Sequence, residues 1–270
     1  DYTMYASLLT EGGRYNEALA AYNDAILIDN KPEYYLDAVE VGRAKGDFGI
    51  SADYYIKYMN AIGSDAVETK DYNTLGFYYY NAGTVMVKKA DLLQEMQSDA
   101  ALVKTLTAKG NVLDSLQNSA DYFSKALSVY YLTKADSVFQ ILVERIPESY
   151  SGYRWRALAQ HAIALVYKAE KDGAAKPYYE KVIEVITTSE EENSAAQNKV
   201  LVEAYNYLAY YYLLNDELDL AKVNCDEVVK IEANNRTTVQ LLDAIKQRQD
   251  QIKEHKRQQA AAAAAAAANK

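Results

Sequence analysis

Few side chains of this 270-residue sequence could perform nucleophilic, redox or metal chemistry. The only histidines are His161 and His255, and the only thiol is that of Cys225. A catalytic triad, a zinc site or a redox pair needs further partners at defined spacings, which these three residues do not supply. His161 lies among apolar residues, so we predict that it packs between helices, and Cys225 is predicted to be buried. The sequence therefore predicts a protein that is not an enzyme, with no cofactor and no metal site.

The remaining candidates for ligand chemistry are a cluster of acids and a pair of glycines. Residues 190–192 are three consecutive glutamates, a pattern that is typical of a solvated loop. Gly12 and Gly13 have neither a preceding strand nor a nearby phosphate-binding lysine, so they predict a turn between helices rather than a nucleotide site. A formal net charge of −9 disfavours nucleic-acid binding.

The composition favours a folded helical protein. Half of the residues are hydrophobic, and there are only 3 prolines, so few residues would break a helix. Tyrosine supplies 26 residues, which are amphipathic. No apolar run approaches the roughly 18 residues of a membrane span, so no span is predicted. The sequence starts at Asp1 without a leader, which predicts a processed chain or a fragment and leaves localisation open between the cytoplasm and a bacterial periplasm or cell envelope.

A short pattern recurs along the chain and predicts the elements that position the side chains. A small residue is followed four positions later by a large one, which is the spacing of one helix face. The pairs are Ala18 and Tyr22, Ser51 and Tyr55, Ala135 and Phe139, Ala175 and Tyr179, and Ala221 and Cys225. Because a small residue lets two helices approach closely, each pair predicts the second helix of a helical hairpin.

These hairpins resemble tetratricopeptide repeats, whose pattern of about 34 residues is Trp-x2-Leu-Gly-x2-Tyr followed by Ala-x3-Phe. The interval from Ala18 to Ser51 is close to that length. Two stretches match the first half of the pattern: Tyr72, Leu75, Gly76 and Tyr79, then Tyr205, Leu208, Ala209 and Tyr212. Residues 152–157 and 175–184 are similar to the C-terminal repeats of a group of Gram-negative bacterial proteins of this kind. The resemblance implies an all-α superhelix, a tetratricopeptide-like solenoid of about five to six hairpins with a C-terminal capping helix, over residues 1–258.

Three segments depart from a regular repeat. Near 85–118 the spacing requires extra helix, and we predict a long or broken helix to Lys109, a helix from Val112 to Tyr131, and another from Lys134 to Ile146. Residues 187–198 are predicted to form an exposed loop. Residues 259–270 include nine consecutive alanines, which are interpreted as positions with unassigned side chains, a natural helical extension being the alternative.

Helical spacing assigns several side chains to the inner face of the array. Tyr79 and Tyr212 fall on the packing side of their helices, whereas Arg43, Asn73, Phe77, Tyr80, Asn206 and Tyr210 fall on the side predicted to bind a partner. Aromatic rings and amides suit an extended peptide or a helix. Basic residues on this side could bind the C-terminal carboxylate of a partner, but acidic residues lie among them and leave such a clamp incomplete. A basic or neutral segment is therefore expected.

The favoured function is a non-enzymatic scaffold that binds a protein or peptide partner in its concave groove, with self-association also open. The alternative is a carbohydrate-binding or nutrient-uptake component of a bacterial envelope, because tyrosine and tryptophan faces stack on sugar rings. An enzyme whose active site lies upstream of Asp1 is a further possibility. An exposed pair of coplanar aromatic rings flanked by carboxylates would favour the carbohydrate interpretation.

Overall fold

All regular secondary structure in the described part of the chain is helical. The structure is a computed structural model, and it describes residues 2–98, 112–188 and 192–268. The α-helices of these residues are α1 (Tyr2–Glu11), α2 (Tyr15–Ile28), α3 (Pro32–Lys45), α4 (Phe48–Ile62), α5 (Thr69–Ser98), α6 (Val112–Arg145), α7 (Tyr150–Tyr167), α8 (Lys176–Thr187), α9 (Ala195–Leu214), α10 (Leu218–Ile231) and α11 (Arg236–Ala268). Within this part of the chain, every helix is too short or too polar to cross a bilayer.

The chain divides into two compact units, which we describe separately. Unit 1 is Asp1–Lys168 and contains α1 to α7, and unit 2 is Ala169–Lys270 and contains α8 to α11. The prediction of one solenoid over residues 1–258 stays a prediction. Residues 99–111 and 189–191, which fall in the two predicted irregular segments, lie outside the described residues.

Unit 1 is a series of helical hairpins. α1 pairs with α2, α3 with α4, and α5 with α6, while α2 also packs on α3 and α4 on α5. The turns after α1 and α3 contain Gly13 and Gly46, whose φ angles of +72° and +73° are in the left-handed region that favours glycine. The predicted glycine turn at the end of α1 is therefore confirmed, and so is the prediction of an all-α fold built of helical hairpins.

The small residues lie where paired helices touch. Ala18 on α2 and Ser51 on α4, the first residues of the first two sequence pairs, are both fully buried. The Ser51 hydroxyl donates a hydrogen bond to the Val39 carbonyl at 3.1 Å, and a Cβ on Gly42 would come within 2.6 Å of Ser51 Oγ. Side chains larger than these would force α3 and α4 apart, so residue size fixes the distance between the two helices.

The extra residues of unit 1 lengthen one hairpin. α5 and α6 contain 30 and 34 residues, and they pack together closely. A Cβ on Gly76 would lie 2.5 Å from the Phe139 ring, and one on Gly83 would lie 2.6 Å from Leu132. The predicted separate helices, Val112–Tyr131 and Lys134–Ile146, are instead one helix. No glycine or proline follows Val112 until Pro147, so nothing in the sequence ends the helix earlier.

Unit 2 is built around α9. Tyr179 of α8 packs on Tyr207 of α9 with ring centroids 4.5 Å apart, and α10 pairs with α9. Ala221 and Cys225 are fully buried on α10, as predicted. α11 packs against both α9 and α10 and buries Leu241 and Ile245.

α9 begins inside the segment that was predicted to be a loop. The backbone N–H of Gln197 donates to the Ser194 hydroxyl, and the backbone N–H of Ser194 donates to the Gln197 side chain. This reciprocal capping box satisfies two N–H groups that a helix start leaves unpaired. The helix therefore starts at Ala195, and the predicted loop is shorter than 187–198.

Candidate functional site

Three aromatic side chains of α5 and α7 form what we call the aromatic face: Phe77, Tyr80 and Trp155. The Phe77 and Trp155 ring centroids are 6.1 Å apart at 81°, and those of Tyr80 and Trp155 are 5.5 Å apart at 64°. Both are edge-to-face contacts, which fix the rings relative to one another. Phe77 remains 42% exposed, so the face presents apolar surface to solvent.

Trp155 is held in place from behind. It stacks on the buried Phe139 ring at 5.4 Å and 11°, and Phe139 in turn fills the space beside Gly76. The next residue, Arg156, donates two hydrogen bonds to the Asp136 carboxylate, at 2.9 and 3.2 Å, which joins α7 to α6. The aromatic face therefore rests on packed elements rather than on a loop.

A row of carboxylates lies on α3, which we call the acidic stripe: Glu33, Asp37 and Glu40. Their spacing of four and three positions places them on one helix face. The pKa of Asp37 is raised, first because the carboxyl is partly desolvated and then because Glu33 and Glu40 repel its charge. Negative charge is thus concentrated on this side of α3.

Arg43 lies at the end of the acidic stripe and is already paired. Its guanidinium donates to both oxygens of Glu40, at 2.7 and 2.9 Å. The pKa of Tyr78 is raised, mainly because the ring is buried. Glu40 adds to this increase, whereas the positive charge of Arg43 opposes it. Tyr78 is thus within electrostatic range of the Arg43 end of the acidic stripe, and its ring centroid is 6.3 Å from that of Phe77.

Asn73 is exposed and lies one helical turn before Phe77 on α5. It lines a cleft of about 160 Å³ between the start of α5 and the junction of α6 with α7. Leu142 and Ile146 contribute apolar surface to this cleft, and Lys70 contributes a cation. The cleft could hold one side chain of a bound segment next to the Asn73 amide.

In unit 2, the two predicted binding residues make contacts within the fold. The Asn206 amide donates to Asn235 Oδ1 at 3.2 Å, and its oxygen accepts a hydrogen bond of 2.8 Å from the buried Thr238 hydroxyl. Tyr210 packs against the core formed by α9, α10 and α11, and burial raises its pKa. The Asn206 side chain therefore helps to hold α11 on α9.

Unit 2 also contains an open cavity of about 620 Å³ between the start of α10 and the middle of α11. Leu218 and Ile252 contribute apolar surface to it. Its charged residues have both signs: Asp216, Asp219, Lys253, Lys256 and Arg257. Arg248 binds both oxygens of Asp216, at 2.6 and 2.8 Å, and offsets the charge of that carboxylate.

The comparison with known families agrees with the geometry. Residues 2–32, which span α1 and α2, match the model of the tetratricopeptide repeat. The small residues of this repeat, Ala6 and Ala18, are fully buried, as the resemblance predicts.

Solved tetratricopeptide repeat proteins also resemble the chain. The C-terminal part of a tetratricopeptide repeat-containing protein from Cytophaga hutchinsonii is 24% identical, over 90% of this chain and 99% of that one, with a TM-score of 0.37. YrrB, described as having an unusual peptide-binding site, is 17% identical over 90% of each chain, with a TM-score of 0.43. The TPR2AB domain of yeast Sti1 is 16% identical, over 91% and 97%, with a TM-score of 0.32. No curated protein matches the chain.

The residues with potential reactivity are placed as follows. Cys225 is fully buried, and desolvation raises the pKa of its thiol to about 11, so little of it is thiolate at neutral pH. His161 is half-buried on α7. Within the described ranges, no three His, Cys, Asp or Glu side chains are grouped closely enough to hold a metal ion.

The structure brings together two of the six predicted binding residues, Phe77 and Tyr80. The rings of Phe77 and Tyr80 both contact Trp155, while Asn73 lines the α5 cleft and Arg43 is paired with Glu40 on α3. The sequence reasoning gave no binding role to Trp155. It is the only tryptophan, and tryptophan is enriched among the residues that dominate interfaces, which is the signal that could have singled it out.

Proposed function

We propose that unit 1 is a protein-binding module without catalytic activity, and that its α3, α5 and α7 face takes a basic segment of a partner that carries an apolar anchor. The observation that supports this most directly is the exposed Phe77 ring, fixed against Trp155 beside the acidic stripe. The tetratricopeptide repeat at residues 2–32 supports the coarser statement, an interaction scaffold.

The aromatic face supplies the apolar part of the site. Binding energy at protein interfaces is concentrated in a few aromatic residues, because large rigid rings bury area with little loss of side-chain entropy. Phe77 and Tyr80 are already held by Trp155, so they lose little freedom when a partner covers them. A leucine or an aromatic side chain would complete this surface.

The acidic stripe determines the charge of the partner. Lysine or arginine next to Asp37 would offset the charge of this carboxyl, whose pKa is raised by desolvation and then by repulsion from Glu33 and Glu40. A partner carboxylate would meet Glu40 together with Arg43, since the two are paired. The arrangement therefore favours a cationic segment, with complementarity acting mainly on specificity and association rate.

The carbohydrate interpretation would require an exposed, near-parallel pair of rings. In unit 1, two pairs of rings are near-parallel: Tyr79 with Tyr131 and Phe139 with Trp155, with interplanar angles of 30° and 11°. Tyr79 and Phe139 are buried, so neither pair offers two open ring faces. Partner binding by Asn206 and Tyr210 of unit 2 stays a prediction.

Selection from a random 12-residue peptide library displayed on phage tests the proposal. We expect the unmodified chain to enrich peptides with net positive charge and one apolar or aromatic residue. For an enriched peptide, Phe77→Ala with Tyr80→Ala is expected to weaken binding about tenfold or more, because the anchor loses its surface.

Tyr130→Ala is the matched control, because Tyr130 is a similarly exposed aromatic residue on α6 outside the aromatic face. This variant is expected to bind the same peptide as the unmodified chain does. Enrichment of acidic peptides, or equal binding by the Phe77→Ala, Tyr80→Ala variant, would contradict the proposal.

We expect binding of the basic peptide to weaken as the pH is lowered from 7 towards the raised pKa of Asp37. Protonation of Asp37 removes a negative charge that attracts the peptide. Conversely, a bound cation stabilises the ionised form of this carboxyl, whose pKa is raised in the free protein. The Asp37→Asn variant should bind more weakly at pH 7 and show a flatter pH profile. Titration of the two proteins at several pH values measures this, and parallel profiles would contradict a role for Asp37.

A further inference from the structure

α1 exposes an unusual amount of apolar side chain for a helix of a folded unit. Tyr2, Met4, Tyr5 and Leu8 are 49%, 67%, 53% and 58% exposed. No charged residue lies between Tyr2 and Thr10, so this surface is uncharged as well as apolar. Such a surface commonly marks an interface.

On the next hairpin, the positions equivalent to Tyr5 and Leu8 are buried. Ala38 and Val41 of α3 follow Tyr5 and Leu8 at the same interval that separates Ala18 from Ser51, and they are 0% and 1% exposed. α3 differs from α1 in having a hairpin, α1 with α2, packed ahead of it. Tyr5 and Leu8 of α1 therefore occupy positions that are buried on α3, where a hairpin packs ahead of the helix.

The same positions are also buried on α5. Leu75 and Tyr78 lie just before and just after Gly76, at the positions that Tyr5 and Leu8 occupy around Ala6, and both are buried. α4 packs on α5 as α2 packs on α3. A stacked array needs a polar outer face on a terminal helix, and α1 has an apolar one instead.

We infer that this face of α1 is an interface for a further hairpin of the same chain, whose second helix packs on α1 as α2 packs on α3. The occupant would be an apolar helix face, in the manner of the side of α2 that packs on α3. This interface is separate from the aromatic face, so the two proposals can fail independently.

Duplication of the first hairpin in register tests the inference. A copy of residues 2–34 is placed directly before Tyr2. The copied α1 then precedes the original α1 by the same number of residues by which α1 precedes α3. Leu8→Cys in the original α1 then reports accessibility through its rate of reaction with a thiol reagent. The natural Cys225 adds little background because it is fully buried.

We expect the thiol introduced by Leu8→Cys to react about tenfold or more slowly in the duplicated chain than in the single chain, because labelling then requires local opening of the new interface. Leu27→Cys in the original α2 is the matched control. Leu27 is 84% exposed, and Asn60, its equivalent on α4, is exposed too, so the control rate should be the same in both chains.

Equal rates for the Leu8→Cys thiol in the two chains, with circular dichroism showing that both are folded, would overturn the inference. So would a rate in the single chain that falls with protein concentration, together with a dimer in light scattering, since a second copy would then cover α1. A rise in the melting temperature of the duplicated chain that Tyr5→Ser with Leu8→Ser abolishes would support it independently.

Discussion

Replacing Phe139 with alanine is expected to lower the free energy of unfolding of unit 1 by about 3–5 kcal/mol. The side chain is fully buried, stacks on Trp155 at 5.4 Å and fills the space left by Gly76. Alanine would leave a cavity at the point where α5, α6 and α7 meet. Urea denaturation followed by the fluorescence of Trp155, the only tryptophan, measures the change in the unit concerned.

The matched control is Tyr130→Ala, earlier on α6, where the ring is 53% exposed. We expect this substitution to change the free energy of unfolding by less than about 1 kcal/mol, because little apolar area leaves a buried site. A loss of the same size for both variants would contradict the position of Phe139 at the centre of this contact.

Replacing Arg156 with leucine is expected to lower the free energy of unfolding by about 2–3 kcal/mol, the value of hydrogen bonds to a charged group with little access to water. Arg156 and Asp136 are only 16% and 15% exposed, and the substitution removes the guanidinium that binds Asp136. Leucine at both positions should recover part of the loss, because the second substitution removes the remaining buried charge.

The exposed pair of Lys222 and Asp226 on α10 provides the comparison, since its side chains are 56% and 49% exposed. Breaking it with Lys222→Leu should cost less than about 1 kcal/mol, because solvent screens the pair. Equal losses at the two ion pairs, again by urea denaturation, would show that Arg156 does not hold α7 on α6.

The helical hairpins could be predicted because their signals are local. A buried small residue followed four positions later by a large one marked the second helices, and Ala18, Ser51 and Ala135 are all fully buried. The glycine turn at the end of α1 could be read in the same way. Each of these features depends on residues within one hairpin, so a local sequence pattern is enough to predict it.

The repeat spacing predicted extra helix near 85–118, but not that α6 runs unbroken from Val112 to Arg145. The sequence has no helix-ending residue between Val112 and Pro147, but the expectation of regular repeats divided this stretch into two helices. The packing of Gly76 on Phe139 joins residues that are far apart in the sequence, and no local pattern reports such a contact.

The candidate site was predicted only in part for the same reason. Helix periodicity placed Phe77 and Tyr80 on one side of α5, but Trp155 reaches them from another helix. Periodicity also placed Asn206 on a binding side, where the structure shows hydrogen bonds to Asn235 and Thr238 of unit 2. An amide on the predicted binding face of a helix can instead form hydrogen bonds within its own unit.

The fluorescence of Trp155 offers the most direct measurement of the central proposal, that the aromatic face beside the acidic stripe binds a basic segment. Titration with a basic peptide enriched by the unmodified chain should change the emission of this single tryptophan saturably. The bound peptide should also reduce quenching by acrylamide. Saturable binding of the same peptide in calorimetry, with the emission and quenching of Trp155 unchanged, would contradict the account.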